Sequence, residues 1–304
     1  MLYRREFIKK SAFATLGTMF LSGKLSAAFF EEQHAIGLQL FTFFSTIDDD
    51  VQGTLQKIAE VGYKEIESAF SKKGGYYGMK PKEFASMLQG MGMTWKSHHV
   101  LGAPFKLPKG FKMPTDANGK PITIPPMRNL RDNMQELVDE VAEGGVEYLV
   151  CANTPTGTLD EIKSSVEVLN KTDEACKKAG IVFAYHNHDM EFHEVEGKIP
   201  YNILLSEATM KMELDLAWAV KGGKDPVELF KQNPGRFPLW HVKDLDASHQ
   251  NIMPVGSGSI DFKRIFDNAS IAGMKHFFVE HDMPKDAMAS IKASYNYLAN
   301  VLKV

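Results

Sequence analysis

The chain has 304 residues, 44% of them hydrophobic and 24% charged, with a formal net charge of −3 at pH 7. That length suits one large domain or two ordinary ones, and the apolar share is enough for a sizeable core. The balanced charge, without a long basic block beyond the N-terminus, argues against a nucleic-acid partner.

At the N-terminus Arg4, Arg5, Lys9 and Lys10 precede an apolar stretch over 12–21, and Ser26, Ala27 and Ala28 follow. This basic, apolar, small-residue order is that of an export signal. Its apolar part is too short for a comfortable membrane span. RREFIKK resembles a twin-arginine motif, with Tyr3 where Ser or Thr is commoner. Residues 1–28 are expected to direct export to the periplasm, leaving 29–304 as one domain with no stable membrane insertion. An ordinary amphipathic terminal helix is the alternative.

Beyond the signal one order repeats. EVGYKEIES, GMGMTWKSHH, EGGVEYLVC, KAGIVFAYH and IAGMKHFFVE each close a helical pattern with a glycine and open a short apolar strand. Gly180 illustrates the rule: it stands just past a helix, where left-handed backbone costs glycine little. Strands are expected near 36–42, 63–68, 94–99, 147–152, 181–186, 210–215, 238–242 and 276–280. Helices are expected at 51–61, 81–91, 128–143, 159–179, 200–207, 226–232, 261–272 and 286–302. Strand–helix alternation predicts a parallel sheet, and eight units predict a (β/α)8 TIM barrel. A doubly wound open sheet is the rival, weakened because no GxGxxG follows the first strand. The Pro-, Gly- and Lys-rich excursion at 101–127 is expected to act as a lid or mobile loop. Cys151 and Cys176 have neither metal-site nor disulfide-framework spacing.

Ionisable residues gather at the predicted strand ends, which in a barrel converge on one mouth. In chain order they are Glu67, His98 and His99, His186 and His188, Glu213 and Asp215, His241, Lys243 and Asp244, then Glu280, His281 and Asp282. Gln39 and Asn153 end strands one and four. Such a cluster is costly to bury without counter-charge, and one divalent cation would supply it. A mixed N/O donor set does not choose among Mn, Zn, Co, Mg and Fe. Each residue also has a bland reading. A lone strand-end histidine is commonly a bonded loop residue, His98 above all. Glu65 and Glu213 would suit salt bridges to the outer helices, and Asp244 a helix cap.

The segments IGLQLF, YKEIE, YHNHDMEF, ELDLAWAV, PGRFPLWHVKD, VGSGSIDF and FVEHD together resemble the sugar isomerase/epimerase family with the xylose-isomerase-like barrel. The resemblance covers nearly all of 29–304. It implies a single metal held from strands five to eight, where this family commonly has Glu, Asp, His and Glu. The matching positions here are His186, Asp215, His241 and Glu280. The first departs from the pattern and removes one negative charge; His188 is the alternative ligand. The resemblance also implies substrate contact by His99, a substrate-facing or supporting place for Glu67, and a mouth lined by Gln39, Trp218 and Lys243. VGSGSIDF matches a loop whose backbone N–H groups can hold an anion or hydroxyls; its plainer reading is a helix entry capped by Ser259 or Asp261.

These residues predict a metal-dependent isomerase or epimerase that moves a proton next to a carbonyl. Glu280, His188 and Glu67 are the candidate acid–base groups. The export signal points to a non-phosphorylated sugar or keto-sugar. A 3-keto-glycoside lyase or hydratase on the same site is the alternative, and a non-catalytic carbohydrate-binding barrel is the alternative of another class. A homo-oligomer is left open.

Overall fold

The computed structural model describes residues 34–104 and 127–304. The export signal expected at 1–28 and most of the 101–127 excursion lie outside the described residues. Eight parallel strands close into a barrel: β1 (Gly37–Gln39), β2 (Glu65–Ser68), β3 (Thr94–Leu101), β4 (Tyr148–Asn153), β5 (Val182–His186), β6 (Lys211–Asp215), β7 (Leu239–Val242) and, after a short hairpin β8 (Asp244–Leu245) and β9 (Ile252–Met253), β10 (His276–Val279). Each strand pairs with its chain neighbour, and β10 closes on β1 through Gly37 and Leu38. The eight-stranded TIM barrel expected from the glycine-punctuated repeat is the fold observed.

The helices are α1 (Val51–Val61), α2 (Pro81–Gly90), α3 (Leu130–Glu143), α4 (Leu159–Ala179), α5 (Pro200–Glu207), α6 (Leu216–Lys221), α7 (Pro226–Gln232), α8 (Phe262–Phe266), α9 (Ala269–Ala272) and α10 (Ala287–Asn296). Gly180 caps α4 in the left-handed region at φ 76°, as its position predicts. None of the described helices is long and apolar enough to cross a membrane.

Three departures have local causes. The first strand ends at Gln39 rather than 42, because the Gln39 side chain accepts from Phe41 N and starts a 3-10 turn over Leu40–Phe43. The helix expected at 261–272 is two, α8 and α9, broken at Asp267 and Asn268. Helix α6 was not anticipated; Asp215 caps it by accepting from Trp218 N.

Two apolar layers hold the barrel. Leu38, Ile66, Leu149, Phe183, Leu214, Trp240 and Phe277 point outward from the strands into the core shared with the helices. Each such burial is worth about 1.5–3 kcal/mol. Inside the barrel, Tyr148, Val150, Ala184, Leu239 and Phe278 form a separate cluster. Cys151 and Cys176 are buried free thiols.

Candidate active site

Side chains two apart on a strand share a face. The inward face that places Leu239 and Phe278 in the internal cluster therefore presents His241 and Glu280 two residues later, at the C-terminal mouth. Asp215 and His186 arrive from β6 and β5 in the same way, and Asp215 and His241 are register partners.

Asp215, His241 and Glu280 bring one donor atom each within 4.8 Å of one another. His241 Nδ1 is 3.9 Å from Asp215 Oδ2 and 2.7 Å from Glu280 Oε2. These three atoms are buried and none takes part in a well-formed hydrogen bond, despite their closeness. Three converging, buried donors of mixed N/O type, in close ion pairs but without well-formed hydrogen bonds, have the donor chemistry of a divalent-cation site. His186 Nε2 stands 3.9 Å from the same Asp215 oxygen. His186 groups its donor with His99, Glu213 and His241 rather than with Glu280, while His188 joins no such cluster; the approach to Asp215 makes His186 the nearer of the two histidines.

Lys243 lies among these carboxylates and is only 1% exposed. Its ammonium is 3.1 Å from Asp215, 2.8 Å from Glu280 and 2.8 Å from Asp282. Burial opposes its charge, but Asp215, Asp282 and Glu280 hold its pKa well above the usual lysine value. Burial likewise opposes ionisation of Glu280, and Lys243 and His241 override it, holding its pKa below the usual range. Asp215 is shifted up by burial, which Lys243 and His241 only partly offset.

One level deeper, inside the barrel, lies a second polar layer. Glu67 Oε1 accepts from Gln39 Nε2 at 2.6 Å and meets His241 Nε2 at 2.5 Å and His99 Nε2 at 3.1 Å. Glu213 Oε2 meets His99 Nε2 at 2.6 Å, and His186 Nδ1 and His241 Nε2 at 3.2 Å each. Burial and the neighbouring Glu67 push Glu213 up to about 7. His99 would lose its proton on burial, but Glu67 and Glu213 hold it at about 9.

The predicted site residues thus fall into three places. Asp215, His241 and Glu280 converge at the mouth, and His186 approaches only Asp215 there, at 3.9 Å. His99, His186, His188, Lys243 and Glu280 line one pocket with Phe41, Phe70, Asn153 and Asp282. Gln39 and Glu67 are fully enclosed beneath it. Trp218 stands beside the site, its ring 5.4 Å from Lys243 Nζ and 5.9 Å from the His188 ring. His98 turns away to pair with Ser68 at 2.7 Å. Glu213, a strand-end residue, is one for which the sequence also allowed a salt bridge to the outer helices. It faces inward, and parity would have found it, since it lies two residues before Asp215.

YHNHDMEF builds a bracket around its histidines. The Asn187 amide bonds Asp215 N and O across β6. Glu191 accepts from Tyr185 OH at 2.7 Å and from His188 N at 2.9 Å. VGSGSIDF is also internally satisfied. The Asp244 carboxylate accepts from the N–H groups of Leu245, Gly256, Gly258 and Ile260, and Asp261 caps α8. The N–H groups proposed for an external anion are therefore taken by Asp244.

A family model described as a xylose isomerase-like TIM barrel matches residues 55–301. The chain belongs to this family. Among solved structures of the xylose isomerase-like barrel, one titled sugar phosphate isomerase/epimerase, from Parabacteroides distasonis ATCC 8503, is 26% identical with a TM-score of 0.71, covering 90% of this chain and 96% of its own. An L-ribulose 3-epimerase is 15% identical (TM-score 0.63, covering 89% and 95%). The IolI protein, solved with a binding zinc atom, is 16% identical (TM-score 0.63, covering 88% and 98%). The last two carry the likeness of fold alone. A search of curated proteins finds no match.

Proposed function

We propose that this protein is a metal-dependent isomerase or epimerase acting on a non-phosphorylated sugar or keto-sugar. The observation that carries the reading is the convergence of Asp215 Oδ2, His241 Nδ1 and Glu280 Oε2, buried and without well-formed hydrogen bonds, at the mouth of the barrel. Asp215, His241 and Glu280, with His186, would hold one divalent ion. When bound, that ion supplies polarisation of a sugar carbonyl and stabilises the developing enediolate.

The chain's own groups do the rest. Glu280, ionised and facing the pocket, accepts the proton from the carbon next to the carbonyl. His188, whose pKa is lowered by burial so that the ring is neutral, relays a proton to the adjacent position. Lys243, a permanent cation on the pocket wall, orients a substrate oxygen. His99 binds hydroxyls from the opposite side. The substrate carries no phosphate in this reading. Barrels commonly seat phosphate in the loops after the last strands and at a short helix N-terminus, and here Asp244 and Asp261 fill those backbone donors. Export to the periplasm through 1–28 accords with the same substrate class.

A second reading rests on the rings of Phe41 and Phe70, which line the same pocket and would suit an apolar aglycone. In it the enolate of a 3-keto-glycoside expels its β-substituent. Metal analysis of purified protein, followed by a keto-sugar panel in D2O, tests both. Stoichiometric metal with deuterium wash-in supports the isomerase, and aglycone release supports the lyase. Metal-loaded protein that exchanges and releases nothing would instead indicate a carbohydrate-binding barrel.

A further inference from the structure

The deeper polar layer is not needed to build the mouth, yet it places two glutamates and a histidine out of water. An interior of this kind is expensive unless each group answers another. His241 and His186 touch both layers. His241 meets Glu67 through Nε2 and faces Asp215 and Glu280 through Nδ1. His186 meets Glu213 through Nδ1 and faces Asp215 through Nε2.

We propose that Glu67 and Glu213 are positioning residues that take the inward N–H of His241 and His186, so that Nδ1 of His241 and Nε2 of His186 are the nitrogens offered to a metal at the mouth. The inference rests on the metal site proposed above and adds which atoms bind and what selects them.

The selection follows from donor counting. An ionised carboxylate only accepts, and a neutral imidazole carries one N–H. The ring nitrogen that faces Glu67 therefore holds the proton, and the opposite nitrogen keeps its lone pair. Glu67 is itself fixed, since Gln39 Nε2 donates to the same oxygen at 2.6 Å. The His99 ring lies parallel to His241, 5.0 Å away with an interplanar angle of 7°, which walls the imidazole against turning over. Carboxylates placed this way commonly orient metal-bound histidines and raise their basicity.

The inner layer has a competing reading. His99, His186, Glu213 and His241 also place donors within 4.8 Å of one another, which is the spacing of a second cation site. The bonding separates the two levels. Inside, His241–Glu67 and His99–Glu213 are aligned hydrogen bonds of 2.5 and 2.6 Å. At the mouth the converging atoms form close ion pairs with one another and with Lys243, but no aligned hydrogen bond. Each inner glutamate keeps one oxygen without a hydrogen bond, Glu67 Oε2 and Glu213 Oε1, but the inner imidazole nitrogens are committed to aligned hydrogen bonds, which marks that layer as the support and the mouth as the binding site.

The test uses the full-length protein, Zn2+ as a diamagnetic probe, and the variants Glu67→Gln and Glu213→Gln. Calorimetric titration with metal analysis is expected to give one Zn2+ per wild-type chain. Glu67→Gln is expected to weaken zinc binding about 10- to 100-fold, with far-UV circular dichroism unchanged, and Glu213→Gln to weaken it less. Nitrogen-15 NMR of the zinc-loaded wild type, which needs no variant to fold, is expected to show His241 protonated at Nε2 and coordinated through Nδ1. Coordination through Nε2, a second equivalent of zinc, or equal affinity in a folded Glu67→Gln beside a loaded wild type would overturn the inference and leave the single-metal function standing or enlarged. A wild type that takes up no metal would overturn the function itself and this inference with it.

Discussion

Two residues along the same strands separate a hydrocarbon plug from an ionic cluster. Leu239 precedes His241, Ala184 precedes His186 and Phe278 precedes Glu280, each pair on one inward face. The step is about 6.6 Å at the usual strand rise. Below it Tyr148, Val150, Ala184, Leu239 and Phe278 exclude water and ask only for shape. Above it every side chain is specified by its partner. A single barrel can thus put rigidity and reactivity on one set of strands.

The comparison can be broken from either side. Removing a mouth ligand, Asp215→Ala or His241→Ala, is expected to have the largest effect: loss of stoichiometric metal with the circular dichroism of the barrel retained. Retention of one equivalent of metal by either variant would contradict the site. Glu280→Gln is expected to lower solvent-deuterium exchange into substrate about 10²- to 10⁴-fold, read by mass spectrometry. A change in the plug acts in the other currency. Phe278→Ala should cost about 3–5 kcal/mol of stability in chemical denaturation, while the folded fraction still binds metal.

A smaller effect sharpens the electrostatics. Burial alone would lower the His241 pKa, but Glu213, Glu280 and Glu67 raise it well above the ordinary histidine value. In the metal-free protein the ring is therefore protonated at neutral pH, and a metal must displace the proton from Nδ1. Metal affinity should rise with pH, by up to about tenfold per unit while that proton is being displaced. Calorimetry in buffers of different ionisation enthalpy would report the released proton, and an affinity independent of pH between 6 and 8 would refute the assignment.

Much of this architecture was legible in the chain. Glycine-ended helices followed by short apolar strands announce the barrel, because helix caps and buried strands are local signals. The mouth residues were legible for a different reason, since they sit where strands end and resemblance supplies their order. The inner layer was harder. Glu213 alternates with core positions, and alternation alone does not say which face is the inside. Only its parity with Asp215 does. Gln39 and Glu67 read as mouth residues because they end strands, but β1 stops early at a turn that Gln39 itself caps, and Glu67 follows a register shift between β2 and β3. Asp244 was misread in the same way, since its partners lie 12 to 16 residues further along the chain.

Asp244 has one more consequence. By lodging a carboxylate where other barrels lodge a phosphoryl group, the chain carries its own dummy ligand after β7. The turn through Gly256 and Gly258 is thereby preassembled, and that side of the entrance has its final contour before any sugar arrives. Teaching this scaffold to accept a phosphorylated guest would mean evicting a resident first.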